Sequence, residues 1–438
     1  MTHRIATPSR IGLLWLCVAL LMSVTVGCAV AFFLWSLDRA IELFWQHGWL
    51  LFLLPVAGLI SGLIYWKYGT DCEAGNNTIY QAIDHQLKSS AAESVDSASP
   101  SQATDDANHK GSQLTNVPPR MGLMVLVGTL LTHVCGGSAG REGTAIQIGG
   151  SIASWYAGRF RLSGKFQVYL LQAGIAAGFG AVFGTPLAAA IFAIEVVGLK
   201  LLRFRSLLLA ILCAFVADKV TILLGINHTR FDLVSSNVKL NLDSVALIAV
   251  SGIAFGLATA MFLFTTVRIK LILDRFNVHA AIRPVIGGIS IVLLTVATGT
   301  TNYLGLGVRS NPSAQHGVSI ESSFHAGGAD SLSWLSKLTF TSVTLGSGLK
   351  GGEATPLFYM GATLGNALTQ YADLPTPLLA SIGLVAMFSA ATRTPFACTM
   401  MAVELYDLSL IASVQLAALT FIACLVSVSI RRRLITSA

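Results

Sequence analysis

Gly137-Ser138-Ala139-Gly140-Arg141-Glu142-Gly143-Thr144 and, later in the chain, Gly348-Leu349-Lys350-Gly351-Gly352-Glu353-Ala354-Thr355-Pro356 each open an apolar helical stretch with a glycine-rich run and a single glutamate. Glycine strips away side chains, so an ion can reach backbone N–H groups. The first turn of a helix carries unsatisfied donors and about half a positive charge. Two such ends aimed at one point make an anion site that needs no buried cation, and an anion held there can still leave. A carboxylate at the start of each helix then has a specific meaning: Glu142 competes with the anion for the same donors, and protonating it ends the competition. The plainer reading is that Glu142 caps its own helix. In a membrane setting an intramembrane carboxylate is functional by default, which favours the gate.

Working outward, the two motifs belong to a repeat. Gly174, Phe179, Ala181, Thr185, Pro186, Ala188, Ala193 and Glu195 recur as Gly383, Phe388, Ala390, Thr394, Pro395, Ala397, Ala402 and Glu404, always 209 positions later. Chance similarity between apolar helices does not keep Thr-Pro and a lone glutamate in register. Upstream, Gly137, Glu142, Thr144 and Gly150 recur as Gly348, Glu353, Thr355 and Gly361 at an offset of 211. Two related halves place a transported substrate at their interface, near the middle of the bilayer.

Composition agrees. Of the 438 residues 54% are hydrophobic and only 11% charged, against roughly 25% charged in soluble domains. Mean hydropathy is +0.70, and Ile11 to Leu37 carries no charge. Most of this chain has hydrocarbon as its solvent, which excludes a cytosolic enzyme, a nucleic-acid-binding protein and a disordered tail. The net charge of +7 is no sign of nucleic acid, because basic residues gather at the ends of apolar runs. Arg4, Arg10 and Arg431, Arg432 and Arg433 predict both termini on the cytoplasmic face. Seven scattered cysteines, mostly within apolar segments, read as small hydrophobes rather than a disulfide framework or metal site. The first apolar run is too long for a signal-peptide core and is kept as a mature transmembrane helix.

Several apolar stretches, among them Met121 to Val134, Leu335 to Leu349 and Pro356 to Thr369, are too short or glycine-rich for simple spans of about 20 residues. Broken, half-crossing helices are expected, and irregular backbone at membrane depth marks a transport pathway. Leu87 to Val117 is serine-rich and nearly free of large apolar residues, so it reads as a disordered polar tether outside the bilayer. The organisation expected is residues 1–86 as N-terminal transmembrane helices with a first anion-site motif, 87–117 as that loop, 118–230 as the remainder of the first half and 231–438 as the second half.

On these residues the chain resembles the CLC family of chloride channels and anion/proton antiporters. Gly137 to Gly143 matches the family's gating-glutamate motif and Gly351 to Pro356 its second-half helix start. Gly184-Thr185-Pro186-Leu187 and Arg393-Thr394-Pro395 resemble its two proline-initiated helices. The resemblance implies an all-α polytopic membrane protein with an inverted-repeat fold, its broken helices meeting at a central anion site. It also implies a homodimer with one pore per subunit, and a gate at Glu142. Chloride-type members have proline where Thr144 stands and Ile-Phe where Glu353-Ala354 stands, and their Gly-Ser-Gly-Ile-Pro motif appears here as Gly75-Asn76-Asn77-Thr78-Ile79. These departures resemble the branch that exports fluoride in exchange for protons, in which the positions of Glu353 and Thr355 are linked to coupling and to the fluoride path. The expected site is Glu142 and Glu353 for gating and proton coupling, with Asn76, Asn77, Gly143, Thr144, Ala354 and Thr355 around the anion.

Fluoride is more strongly hydrated than chloride, so stripping it demands well-placed donors, because an unpaired buried charge costs many kcal/mol. Amide and hydroxyl side chains supply them. Two family features are missing. Val196 stands where chloride/proton antiporters carry an internal glutamate, and no late pore tyrosine matches near Ser427 to Arg433, Tyr406 lying too early.

Other readings are plainer. Glu195 and Glu404 read as structural residues at helix ends. Arg141 and Lys350 either draw anions to a pore mouth or reach for an interface. His133 reads as a satisfied core residue. Gly136-Gly137-Ser138-Ala139-Gly140 also fits the G-x-S-x-G pattern of serine hydrolases, but an apolar helical run rather than a strand precedes it, and no triad forms by sequence. Transport alternatives are a chloride/proton exchanger and a passive, voltage-gated-type chloride channel. The expected partners are fluoride or chloride, protons, the lipid bilayer of the plasma (inner) membrane and a second copy of the chain, with no cofactor, metal or catalytic residue.

Overall fold

The computed structural model describes residues 8–96, 117–162, 164–198, 204–228, 230, 242–311, 317–406 and 408–436. Among them the chain is helical, with a single isolated backbone bridge in place of any strand. The first half runs α1 (Pro8–Gln46), α2 (Leu54–Tyr68), α3 (Asn76–Asp96), α4 (Arg120–Val134), α5 (Glu142–Arg159), α6 (Lys165–Phe183), α7 (Pro186–Glu195) and α8 (Phe204–Leu223). The second runs α9 (Leu242–Arg275), α10 (Arg283–Thr298), α11 (Ser333–Gly346), α12 (Ala354–Leu368), α13 (Thr376–Thr392), α14 (Pro395–Leu405) and α15 (Leu410–Thr436).

Among the described residues six helical segments are long and apolar enough to cross a bilayer: Leu14–Gln46, Gly48–Tyr68, Lys165–Phe183, Phe204–Leu223, Leu242–Arg275 and Leu410–Ile435. The short elements are the informative ones. α7 has 10 residues and α14 has 11, so each is about 15 Å long, half of a hydrocarbon layer roughly 30 Å thick. Both start with proline at the first helical position after a threonine, where the missing N–H costs nothing. These are the half-crossing helices that the interrupted apolar stretches predict.

The halves repeat element by element, α4 to α7 against α11 to α14. Pairs related by 209 positions share local geometry. Thr185 and Thr394 precede their helices at φ −125° and −122°, and Gly184 and Arg393 both end theirs in the left-handed region, at φ +70° and +63°. Upstream the structure corrects the register. Gly136 and Gly348 are the matching positive-φ turns, Gly140 pairs with Gly352, and α5 and α12 begin at Glu142 and Ala354. All three pairs are related by 212 positions, not 211. The sequence match of Glu142 to Glu353 therefore aligns the first residue of one helix with the residue just before the other. Small residues let helices close up in the same way inside each half: Gly149 of α5 lies on the carbonyl of Gly174 in α6, and Gly361 of α12 on that of Gly383 in α13.

The polar segment expected to be a loop from Leu87 is helical as far as Asp96, because α3 continues through it. Residues 97–116 of that expectation lie outside the described residues.

Candidate anion site

The site begins with backbone. α4 and α11 end just before the two glycine-rich runs. Each run reverses through a glycine at positive φ, Gly136 at +75° and Gly348 at +95°, a conformation that costs a residue with a Cβ roughly 1–2 kcal/mol. The runs then meet: Gly140 N donates to Gly352 O at 2.6 Å, and Gly352 N to Gly140 O at 2.7 Å. This one-rung bridge satisfies polar groups that would otherwise be stranded at membrane depth, and it brings the first turns of α5 and α12 together. A Cβ on Gly352 would lie 2.8 Å from Gly143 N and 3.2 Å from Glu142 N, so only glycine allows this approach.

Glu142 is 1% exposed, and its carboxylate reaches across the bridge. Oε2 accepts from Thr355 N at 3.0 Å, and the Thr355 hydroxyl lies 2.6 Å from both carboxylate oxygens. The hydroxyl has one proton, so it donates to one oxygen at a time. Arg141 N also donates to Oε2 at 3.1 Å, and Arg141 Nε lies 3.6 Å from Oε1. Glu142 thus leaves the first turn of its own helix to sit on the first turn of α12, where an anion would sit. The capping reading accounts only for the Arg141 N–H.

Cavities reach the carboxylate from both sides. A vestibule of about 280 Å³ lies beside the C-terminal end of α1 and is bordered by Asp38, Glu42, His133, Arg141 and Arg309. A narrow space of about 30 Å³ follows it, sharing Arg141 and Val308 and adding Glu142, Thr355 and Phe358. Beyond lies a cavity of about 260 Å³, lined by Asn76, Asn77, Gly143, Glu353, Ala354 and Arg393 among others. Glu142 alone lines both the narrow space and this cavity. A third chamber, about 340 Å³, shares Asn76, Asn77, Gly143 and Glu353 with it and carries Lys270, Arg283 and Lys350.

Most of the expected residues converge here, but not in equivalent roles. Asn76 and Asn77 start α3 and border both the 260 Å³ and the 340 Å³ chambers, as do Gly143 and Glu353. Glu353 precedes α12 without capping it and is exposed to the chambers. Thr144 is a correction. Its hydroxyl pairs with Thr129 of α4 at 2.7 Å, fully buried, and it borders none of these cavities. Being two places past the helix start, it faces the α4 side of α5. Thr355, its counterpart in the sequence alignment, is one place past the start of α12 and faces the gate. Lys350 does not reach for an interface; its ammonium lies 3.9 Å from the centroid of the Tyr65 ring at the third chamber. Outside the spanning helices, Asp71 pairs with Arg120 at 2.7 Å, which holds its carboxyl below the ordinary carboxylate range and ties the α2–α3 turn to α4.

Sequence reasoning missed the aromatic wall. Phe192 and Phe388 line the 260 Å³ cavity and Phe358 the narrow space. Phe358 packs on Phe388 with centroids 5.2 Å apart, and Phe388 stacks on Phe192 at 5.8 Å. Ring edges carry partial positive charge, so these side chains can face an anion without a counter-charge. Phe388 recurs from Phe179 in the repeat, but recurrence alone did not say that one copy faces a cavity.

The two repeat glutamates have a structural explanation. Glu195, ending α7, accepts from Phe396 N at 3.1 Å and Ala397 N at 2.8 Å in the first turn of α14. Glu404, on α14, accepts from Leu187 N at 3.0 Å and Ala188 N at 2.7 Å in the first turn of α7. Each half-helix caps the other. Glu195→Ala should lower stability by about 1–2 kcal/mol, read as a lower midpoint of thermal unfolding in detergent; an unchanged midpoint would mean that water replaces the cap.

Ser138 is buried with its hydroxyl 2.9 Å from that of Thr341, and both ring nitrogens of His133 face backbone carbonyls. No nucleophile–base pair forms, and the hydrolase pattern is a loop with another purpose. Tyr406 is buried against Phe324, with centroids 6.1 Å apart, and borders none of the four cavities.

Comparison with known proteins agrees with this geometry. The family described as voltage gated chloride channel matches residues 87–428. A chloride/fluoride channel protein of Pseudomonas syringae pv. tomato is 38% identical over 431 residues, covering 96% of this chain and 86% of the relative. The crystal structure of a CLC-type fluoride/proton antiporter superimposes with a TM-score of 0.82 at 30% identity, covering 98% of this chain and 97% of the other. A slow cyanobacterial chloride/proton antiporter shares the fold, with a TM-score of 0.73 at 18% identity, covering 96% of this chain and 94% of the other.

Proposed function

This chain belongs to the voltage gated chloride channel (CLC) family of membrane anion channels and transporters, and from that premise we propose that it exports fluoride in exchange for protons, with the Glu142 carboxylate as gate. The observation that carries the proposal is the placement of that carboxylate on the N–H and hydroxyl of Thr355, between two cavities that share no other lining residue. Ionised, it holds the donors that an anion needs. Protonated, it becomes a poorer acceptor and yields them, so an anion passes one way as the proton leaves the other.

Fluoride is favoured by the donor set. Thr355 offers N–H and hydroxyl, Asn76 and Asn77 border the adjoining cavity, and Arg141 stands at the entrance. A small, strongly hydrated anion needs several such groups to replace its water. Fluoride also belongs to the similar proteins: the Pseudomonas relative is a chloride/fluoride channel protein and the superimposed structure is a fluoride/proton antiporter. Glu353, bordering the 260 Å³ and 340 Å³ chambers, serves in this reading as a second proton-carrying position rather than as a second gate.

Lys270, Arg283, Lys350, Glu353 and Arg393 line the chambers on the α3 side, and Arg431 lies within electrostatic reach of Glu353 and Arg393. In this reading that side faces the cytoplasm across the plasma (inner) membrane, with both termini on it, and the Arg431-Arg432-Arg433 run closing α15 supports it by the positive-inside rule. The functional unit is a homodimer with one pathway per subunit, built from a first half ending near residue 230 and a second from 231 to 438.

Purified protein in liposomes should release fluoride at least tenfold faster than chloride, with protons moving oppositely. Chloride-selective flux with no proton movement would discard both the ion assignment and the coupling.

A further inference from the structure

His133 lies in the penultimate position of α4, is 1% exposed and borders the vestibule beside the C-terminal end of α1. Its Nδ1 is 2.8 Å from Thr129 O, and its Nε2 is 3.0 Å from Ala139 O. Both partners can only accept. A neutral imidazole has one N–H, so one of its nitrogens would press a lone pair against a carbonyl oxygen; the imidazolium has two and satisfies both. Turning the ring over does not help, since it would set carbons against both carbonyls. We propose that His133 is a third proton-binding group of this protein, carrying the imidazolium charge when it clamps the carbonyl of Ala139 and so positioning the segment that bears the gate.

The clamp acts one residue away from the bridge, because Ala139 precedes Gly140, whose N–H and carbonyl both pair with Gly352. The same loop is held from the other half. Gly305 N donates to Gly136 O at 3.3 Å, while Lys337 of α11 donates to Gly305 O at 2.8 Å and Tyr303 O at 3.1 Å. The ionisable groups whose fields reach the ring are Lys337 from α11 and Glu142 from α5. Asp38 and Glu42 from α1, with Arg141 and Arg309, share its vestibule. As pH rises on that side the ring loses a proton, one of its two bonds is lost, and the Ala139–Gly140 segment is less firmly held. His133 is a positioning residue for the gate, and vestibule pH acts through it separately from Glu142.

The protonation state is independent of the transport reading; only its consequence for flux rests on that reading. Full-length protein in lipid bilayers, labelled with 15N at histidine and 13C at the threonine and alanine carbonyls, tests it by solid-state NMR. One histidine should show both ring nitrogens protonated at pH 6 and each close to a labelled carbonyl, and this signal should vanish in His133→Gln. A bare ring nitrogen against a carbonyl at pH 6 overturns the proposal. The wild-type spectrum decides this even if the variant does not fold. In liposomes, wild-type flux should show a titration step on the vestibule side that His133→Gln lacks. A retained step in the variant overturns the positioning role. If fluoride flux is absent altogether, the transport reading fails while the NMR result stands.

Discussion

Glu142→Ala is expected to abolish proton movement and leave an anion pathway whose flux no longer depends on protonation of the gate. Two hydrogen bonds hold the carboxylate on Thr355: one from the N–H at 3.0 Å and one from the hydroxyl, which lies 2.6 Å from either oxygen. Hydrogen bonds to a charged group are worth about 1.5–3 kcal/mol each. Removing the competitor should therefore tighten apparent anion binding by roughly tenfold or more, at about 1.4 kcal/mol per tenfold. In the unsubstituted protein, low pH favours the carboxylic acid, which holds Thr355 less well, so anion flux rises as pH falls. Glu142→Gln separates the two effects. It keeps the shape and, like the protonated acid, offers Thr355 only a neutral acceptor oxygen, but it cannot exchange a proton, so proton flux should stop while anion flux continues uncoupled. Paired fluoride-electrode and pH recordings from liposomes check this. An alanine variant that still drives protons uphill on a fluoride gradient would remove Glu142 from the mechanism.

Gly352→Ala should be nearly as damaging without touching any ionisable group. The added methyl would lie 2.8 Å from Gly143 N and 3.2 Å from Glu142 N. These are backbone atoms of the opposing helix start, so no rotamer change relieves the overlap. The Gly140–Gly352 bridge must open, giving up two backbone hydrogen bonds of 2.6 and 2.7 Å at about 0.5–1.5 kcal/mol each, besides about 1–3 kcal/mol of overpacking. Flux should fall by roughly tenfold or more as Thr355 is carried away from Glu142. Gly158→Ala is the control: nothing lies within 4 Å of a methyl there, on the exposed end of α5, and flux should not change. Size-exclusion profiles in detergent distinguish a displaced gate from a misfolded chain. A Gly352→Ala protein transporting at the unsubstituted rate would show that the bridge does not set the gate geometry.

The fold was legible from residues whose chemistry is local. Proline fits the first position of a helix, and Pro186 and Pro395, each after a threonine, start α7 and α14. Apolar length predicts spans, and stretches too short for a span became α4, α11 and α12. Thr144 and Glu353 were less legible, and for one reason. Aligning glutamate with glutamate gave an offset of 211, whereas backbone geometry repeats at 212 through Gly136 and Gly348, Gly140 and Gly352, and the two helix starts. One residue on a helix is a turn of about 100°. It sends Thr144 to Thr129 and Glu353 to the chambers, while Thr355 meets Glu142.

By itself the sequence determined that this chain lives in hydrocarbon, that it is built from two related halves, and that each half offers a glycine-bared helix start beside a carboxylate. Those follow from composition, spacing and the fixed donor geometry of a helix end. Only the tertiary structure decided that Glu142 sits on the opposite helix rather than its own, that Glu195 and Glu404 cap each other's half-helices, and that His133 faces two carbonyls. Each of those facts joins residues distant in the chain or depends on which way one side chain turns. Contacts of that kind are set by how the halves pack, which spacing along a chain does not encode.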